Sequence, residues 1–232
     1  MNKNILLGYD DVFEKKYNQW RLVRVVKLEQ IFGINWFKGK KILELGCGYG
    51  NIGLYFQDLG ADVTFVEGKQ EFIDVLKSKC PTAKVIKMDL DGAFELNEQY
   101  DLVIHWGLLY NINHWKDSLR SALAHARYLT LESNVNRYDY DIEFKVKDFD
   151  YGIKHCGIMN DIGSLPSISL IEKELPVIQK RYDDKDLNID SILTYTYICN
   201  DSSQNNQKFY NTAFHEKVYG GRKFWVVDTQ KE

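Results

Sequence analysis

The stretch Lys40-Lys41-Ile42-Leu43-Glu44-Leu45-Gly46-Cys47-Gly48-Tyr49-Gly50-Asn51-Ile52-Gly53 constrains this chain more than any other. Ile42, Leu43 and Leu45 form an apolar run that reads as a buried strand. Glycines at 46, 48, 50 and 53 follow, and they allow positive φ and close approach of the backbone to a ligand. A helix starting near Asn51 would aim its free N–H groups and positive dipole end at the same place. Glu44 is an acid inside the apolar run, where an unpaired charge is costly to bury. The stretch therefore predicts a strand, a turn and a helix built around a small molecule with an anionic group.

The flanking sequence repeats that unit. Strands are expected at 40–45, 63–66, 83–88, 100–105 and 127–131, with helices at 51–59, 70–79 and 115–126 between them. Strand and helix alternating every 20–30 residues or so mark a parallel sheet covered on both faces. In such sheets ligands sit outside the C-terminal ends of the strands. Gly46, Glu67, Asp89 and His105 all fall at such ends, so independent strands place polar or flexible residues along one rim. Before this core, Val12, Phe13, Tyr17, Trp20, Val23, Val26 and Ile31 recur at helical spacing. They predict a helix over residues 10–32, capped by Asp10 or Asp11 and closed by Gly33. It either packs on the sheet or covers the site as a lid, with Tyr9, Tyr17 or Arg21 reaching the ligand. After Asn134 the rhythm breaks into an insertion rich in Tyr, Asp and Lys. A helix from Leu165-Pro166 to about Arg181, kinked at Pro176, is expected next. Strands at 192–199 and 223–227 would finish the sheet as an antiparallel edge pair.

Composition suits one domain: 232 residues, 44% apolar, and a net charge of −3. Neither a basic excess for nucleic acid nor an apolar run long enough to span a membrane is evident. Cys47, Cys80, Cys156 and Cys199 form no C-x-x-C pair, which predicts a reduced, cytoplasmic chain without a metal site.

Read literally, Gly48 to Gly53 satisfies the G-x-G-x-x-G dinucleotide fingerprint. Yet Gly46 already occupies the position directly after the strand, and counting from it puts Asn51 where the third glycine belongs. Glu44-x-Gly46-x-Gly48-x-Gly50 instead resembles the first motif of the class I S-adenosylmethionine-dependent methyltransferases. Glu67 matches that family's ribose-binding acid, and Met88-Asp89-Leu90 its adenine segment. Residues 100–110, Tyr-Asp-Leu-Val-Ile-His-Trp-Gly-Leu-Leu-Tyr, match its fourth strand and following loop. The resemblance covers about residues 40–135, with Arg222 to Val227 fitting the last strand.

That resemblance implies a single α/β domain with a seven-stranded, mostly parallel sheet, helices on both faces, the last strand antiparallel and an insertion after the fifth strand. Its parts would be a helical lid (1–39), a cofactor-binding core (40–133), an insertion with the substrate region (134–191) and edge strands (192–232). S-adenosylmethionine would be the cofactor. Glu44, Gly46, Cys47, Gly48, Asn51, Ile52, Glu67, Gly68, Met88, Asp89, Leu90, His105, Trp106 and Tyr17 are the candidates to bind it. His105, His155 and Tyr110 are the candidates to act on the acceptor, with His114 and His215 as further histidines. His105 stands where magnesium-dependent relatives place an aspartate, and no Pro-Pro or Pro-Cys pair follows the fourth strand. The expectation is metal-free methyl transfer to N or O of a small molecule, a metabolite or sugar. Protein or RNA methylation, a non-catalytic cofactor-binding protein and a nicotinamide oxidoreductase are the alternatives.

Overall fold

Period-two alternation in the core strands sorts their side chains onto two faces of one sheet. The computed structural model describes residues 15–147, 162–183, 186 and 218–230. Its main sheet contains β1 (Lys41–Leu45), β2 (Asp62–Glu67), β3 (Lys84–Lys87), β4 (Tyr100–Trp106), β5 (Ala126–Asn136), β8 (Val177–Asp183) and β9 (Tyr219–Asp228). The strand order is β3-β2-β1-β4-β5-β9-β8. Strands β1 to β5 pair in parallel, and β9 runs antiparallel to both β5 and β8. A separate hairpin pairs β6 (Glu143–Lys147) with β7 (Ile162–Pro166).

Ile42, Val63, Phe65, Leu102, Ile104, Phe224 and Val226 face one core layer. It is closed by α1 (Lys15–Phe32) through Val23, Val25 and Leu28, by α2 (Asn51–Asp58) and by Leu76 of α3 (Gln70–Lys79). Leu43, Leu45, Val103, Leu129, Leu131, Trp225 and Val227 face the other layer, under α4 (Trp115–Ala124) and α5 (Ile168–Glu174). Burial on both faces is what near-continuous apolar runs in parallel strands imply. Helix α1 ends where expected: Gly33 takes φ +84° and its N–H reaches the Glu29 carbonyl at 2.9 Å. The cap expected at Asp10 or Asp11 and the side chain of Tyr17 lie outside what is described.

Three expectations for the second half are corrected. The helix expected over 165–181 is only α5, and its second part is the edge strand β8. Pro176 explains the change, because the residue before a proline is pushed out of helical geometry. Leu175 accordingly has φ −91° and ψ 132°, and the chain leaves the helix extended. The helix also starts later, since Leu165 and Pro166 end β7 and Ser167 caps α5 by accepting from the Leu170 N–H at 3.3 Å. The partner of β9 at the edge is therefore β8 rather than residues 192–199, which lie outside the described residues. Strand β5 runs five residues past the expected Leu131, to Asn136. There the Asn136 side-chain amide donates to the carbonyls of Ile142 and Leu165 at 3.0 and 2.9 Å and ties the hairpin to the sheet. Among the described residues, no helix is long and apolar enough to cross a membrane.

Candidate active site

The glycine turn leaves β1 at the C-terminal edge of the sheet. Gly46, Gly48 and Gly50 have φ of +62°, +55° and +71°, a left-handed run that side chains disfavour. The Cys47 N–H donates to the Val66 carbonyl at 3.1 Å, so the turn stays registered on β2 as it leaves the sheet. Two carboxylates then fix it. Glu67, at the end of β2, accepts the Gly48 N–H on one oxygen at 2.8 Å and the N–H groups of Gly68 and Lys69 on the other at 2.9 Å. Glu44 accepts the Gly53 N–H at 2.8 Å, inside the first turn of α2.

Gly53 is required by packing. A Cβ there would lie 2.3 Å from Phe65 Cε1 and 2.6 Å from Glu44 Oε2. The literal G-x-G-x-x-G thus ends on a glycine that lets α2 sit directly on β1 and β2. Lys79, in the last turn of α3, donates to Asn51 Oδ1 at 2.8 Å and braces the turn from outside.

A pocket opens above the turn. Its floor is Leu45 to Tyr49, Asn51 and Ile52, and its walls are Glu44, Ile104 and Trp106 with Arg21 and Arg24 of α1. Of the expected ligand-binding residues, the structure brings Glu44, Gly46, Cys47, Gly48, Asn51, Ile52 and Trp106 together here. Glu67 and Gly68 stand directly behind. Asp89 is exposed on the rim beyond β3, its carboxylate accepting the Asp91 N–H at 2.9 Å. Next to it, Leu90 is buried and Met88 packs against the second core layer. Helix α1 supplies a wall, and its half from Arg21 onward packs into the core through Val23, Val25 and Leu28.

Electrostatics divides the two carboxylates. Burial raises the Glu44 pKa to about 8, against the opposing pull of the Gly53 N–H and of Arg21 and Arg24. Glu67 keeps three N–H donors, and a carboxylate offers about four acceptor sites. Burial, with Glu44 and Glu67 nearby, holds the Cys47 thiol well above its usual range.

His105 is corrected. It alternates with Ile104 and Trp106, so its ring lies on the sheet face away from the pocket, and it is not among the residues that line it. It is fully buried, neither ring nitrogen has a hydrogen-bond partner, and burial lowers its pKa to about 4. A neutral imidazole in that setting is poorly placed as a general base. Tyr110, in the 3-10 turn Leu109–Asn111, is buried and accepts from Arg222 Nη2 at 3.1 Å. His114 is exposed at the start of α4, its ring against Asp91 at 3.2 Å. His155 and His215 lie outside the described residues.

The residue missed from sequence is Glu132, which directly follows the strand expected at 127–131. It is wholly buried. One carboxylate oxygen accepts from Arg24 Nη1 at 3.0 Å and the other from Arg222 Nη1 at 2.6 Å. These partners lie 108 and 90 positions away in sequence, so no local pattern could have shown them.

A family described as a methyltransferase domain matches residues 42–132, the segment that carries the turn, both carboxylates and β4. Residues 42–132 match a methyltransferase domain, and the sheet around them has the class I methyltransferase fold. The fold likeness extends further. The N-terminal domain of EvdMO1, solved with S-adenosylhomocysteine and D-fucose, aligns at TM-score 0.63 and 13% identity over 97% of this chain and 93% of its own. Coclaurine N-methyltransferase, bound to N-methylheliamine and S-adenosylhomocysteine, aligns at 0.60 and 13% over 95% and 75%. An O-methyltransferase of a trans-AT polyketide synthase multienzyme of Brevibacillus brevis aligns at 0.59 and 13% over 90% and 74%. A histidine protein methyltransferase 1 homolog of Dictyostelium discoideum is 33% identical over 110 residues, 43% of this chain. The chain thus spans about a third (34%) of that curated relative's length.

The cofactor of this domain type is S-adenosylmethionine, and the site fits it. The turn is bare of side chains at Gly46, Gly48 and Gly50, which leaves backbone groups to meet an amino-acid moiety. Glu44 beside the turn suits an ammonium, and the N-terminus of α2 suits a carboxylate. Nothing in the turn requires a phosphate.

Proposed function

We propose that this chain moves a methyl group from S-adenosylmethionine to a nitrogen or oxygen of a small molecule, a metabolite or sugar, by metal-free in-line displacement. The observation that carries the reading is the glycine turn held between Glu44 and Glu67 under the wall of Arg21, Arg24 and Trp106. The bound cofactor supplies a methyl group on a sulfonium, already an activated donor. What the protein must add is alignment and exclusion of water.

In this reading Gly46, Cys47 and Gly48 receive the amino-acid end, with Asn51 and Ile52 at the helix start. Glu44 answers the ammonium. Glu67 accepts the ribose hydroxyls on the capacity its three N–H donors leave, and Asp89 takes the adenine amino group beside Met88 and Leu90. Trp106 walls the reacting end. Tyr110 is the acceptor-side candidate once His105 is withdrawn as base. A base is needed only if the acceptor nucleophile arrives protonated.

Methylation of a protein side chain is the second reading, favoured by the likeness to the histidine protein methyltransferase homolog. One screen separates the two: methyl-labelled S-adenosylmethionine offered to metabolite and glycan pools and, in parallel, to protein extracts. Label in a small-molecule fraction is the expected outcome. Label only in protein would overturn the first reading in favour of the second.

A further inference from the structure

The two arginines on Glu132 do more than neutralise it, because each guanidinium also lies against an aromatic ring at the C-terminal edge of β4. Arg24 sits 5.2 Å from the ring centroid of Trp106, and Arg222 sits 5.1 Å from that of Tyr110. Arg222 also donates to the Tyr110 hydroxyl. The rings are fixed from behind as well: Trp106 Nε1 donates to Thr130 Oγ1 at 3.2 Å, and the Gly107 N–H donates to the Glu132 carbonyl at 3.1 Å. Sheet register explains the convergence. Glu132 pairs with Trp106 on one side and Phe224 on the other, so all three side chains leave the same face, toward α1. Arg222, two residues before Phe224, returns to that face. A planar guanidinium can accept a carboxylate and an aromatic face together, which an ammonium cannot do as well.

We propose that Glu132 is a positioning residue of the transfer site: through Arg24 it sets Trp106 in the pocket wall, and through Arg222 it sets Tyr110 beside it. This rests on the methyl-transfer reading only for what the wall faces. The arrangement of the rings stands without it. Glu132 itself touches neither cofactor nor acceptor. The device links three distant segments, α1, the second half of β5 and the start of β9, behind the Arg24 and Trp106 wall of the pocket.

The test uses the full chain labelled with 5-fluorotryptophan and, separately, 3-fluorotyrosine, read by fluorine NMR. Trp106→Phe and Tyr110→Phe assign the two signals, and the buried Trp115, in the other core layer, reports whether the fold is intact. Glu132→Gln is expected to displace the Trp106 and Tyr110 signals by more than a linewidth without ligand, with Trp115 unmoved. It should also abolish the Trp106 response to S-adenosylhomocysteine while changing its affinity less than threefold. A purely structural acid would not give that split. If Glu132→Gln shifts Trp115 as well, Arg24→Lys and Arg222→Lys decide: the first should move Trp106 alone and the second Tyr110 alone. Unmoved Trp106 and Tyr110 signals in these variants would overturn the proposal. Failure of the parent chain to bind S-adenosylhomocysteine would instead overturn the methyl-transfer reading and leave the ligand-free signals to judge Glu132.

Discussion

The two sides of the pocket are made in different ways. The cofactor side is backbone: three glycines in left-handed conformation, a fourth without room for a Cβ, and two acids that accept main-chain N–H groups. The facing wall is side chain: Arg24 and Trp106 line it, held by Glu132, Arg222 and Tyr110, and the five residues come from five elements. Backbone sites tolerate little change because any added atom collides. Side-chain walls can be rebuilt by substituting residues on a fixed sheet. One domain can in this way keep a cofactor and change what it methylates.

The largest effect is expected on the side-chain wall. Glu132→Ala leaves two guanidiniums without their shared carboxylate, and breaking a buried pair costs about 3–5 kcal/mol. Denaturant unfolding should show that loss, and one under about 1 kcal/mol would mean the network is not formed in solution. Gly53→Ala attacks the backbone side, where the new methyl meets Phe65 and Glu44. Overpacking of this kind costs about 1–3 kcal/mol, and S-adenosylhomocysteine affinity should fall with stability.

Glu67→Ala separates the sides more finely. It frees the Gly48, Gly68 and Lys69 N–H groups and should weaken S-adenosylhomocysteine about tenfold or more, or ~1.4 kcal/mol, while the Trp106 and Tyr110 wall stays in place. Calorimetry gives the affinity, and an unchanged value would remove Glu67 from the site.

The smallest effect is a pair of opposed pH limbs. His105 has a folded pKa of about 4, below its ordinary value of 6.5. The unfolded chain binds the extra proton, so stability is lost as pH falls from 6.5 through 4. Glu44, raised from 4.5 to about 8, acts in the other direction: its contribution is full below 4.5 and is lost as pH rises through 8. Melting temperature against pH should flatten at the acid limb in His105→Phe and at the basic limb in Glu44→Gln. Unchanged limbs would show that these groups are not buried as described.

The same contrast explains what the sequence made legible. Cofactor-side elements come from short contiguous patterns, so β1 to β4, α2 and α3 could be placed nearly to the residue from periodicity and glycine spacing. Gly46, Gly48, Glu44 and Glu67 followed with them. The wall depends on pairs about a hundred residues apart, and Glu132 looked like any acid at a strand end. His105 was misread because position at a strand end does not say which face a side chain takes. Its neighbours Ile104 and Trp106 point into the pocket, and alternation sends it the other way. Residues 165–181 misled for a local reason: the apolar positions Ile168, Ile171, Leu175 and Ile178 keep helical spacing across Pro176, but the proline's geometry wins.

Titration calorimetry of the full chain distinguishes a glycine turn that holds S-adenosylmethionine from one that holds a dinucleotide. S-adenosylhomocysteine should bind the parent chain, NAD should give no heat of binding, and Gly46→Val, whose Cβ would press on Leu108 at 3.1 Å, should bind neither. Binding of NAD without binding of S-adenosylhomocysteine would make the turn a dinucleotide site instead.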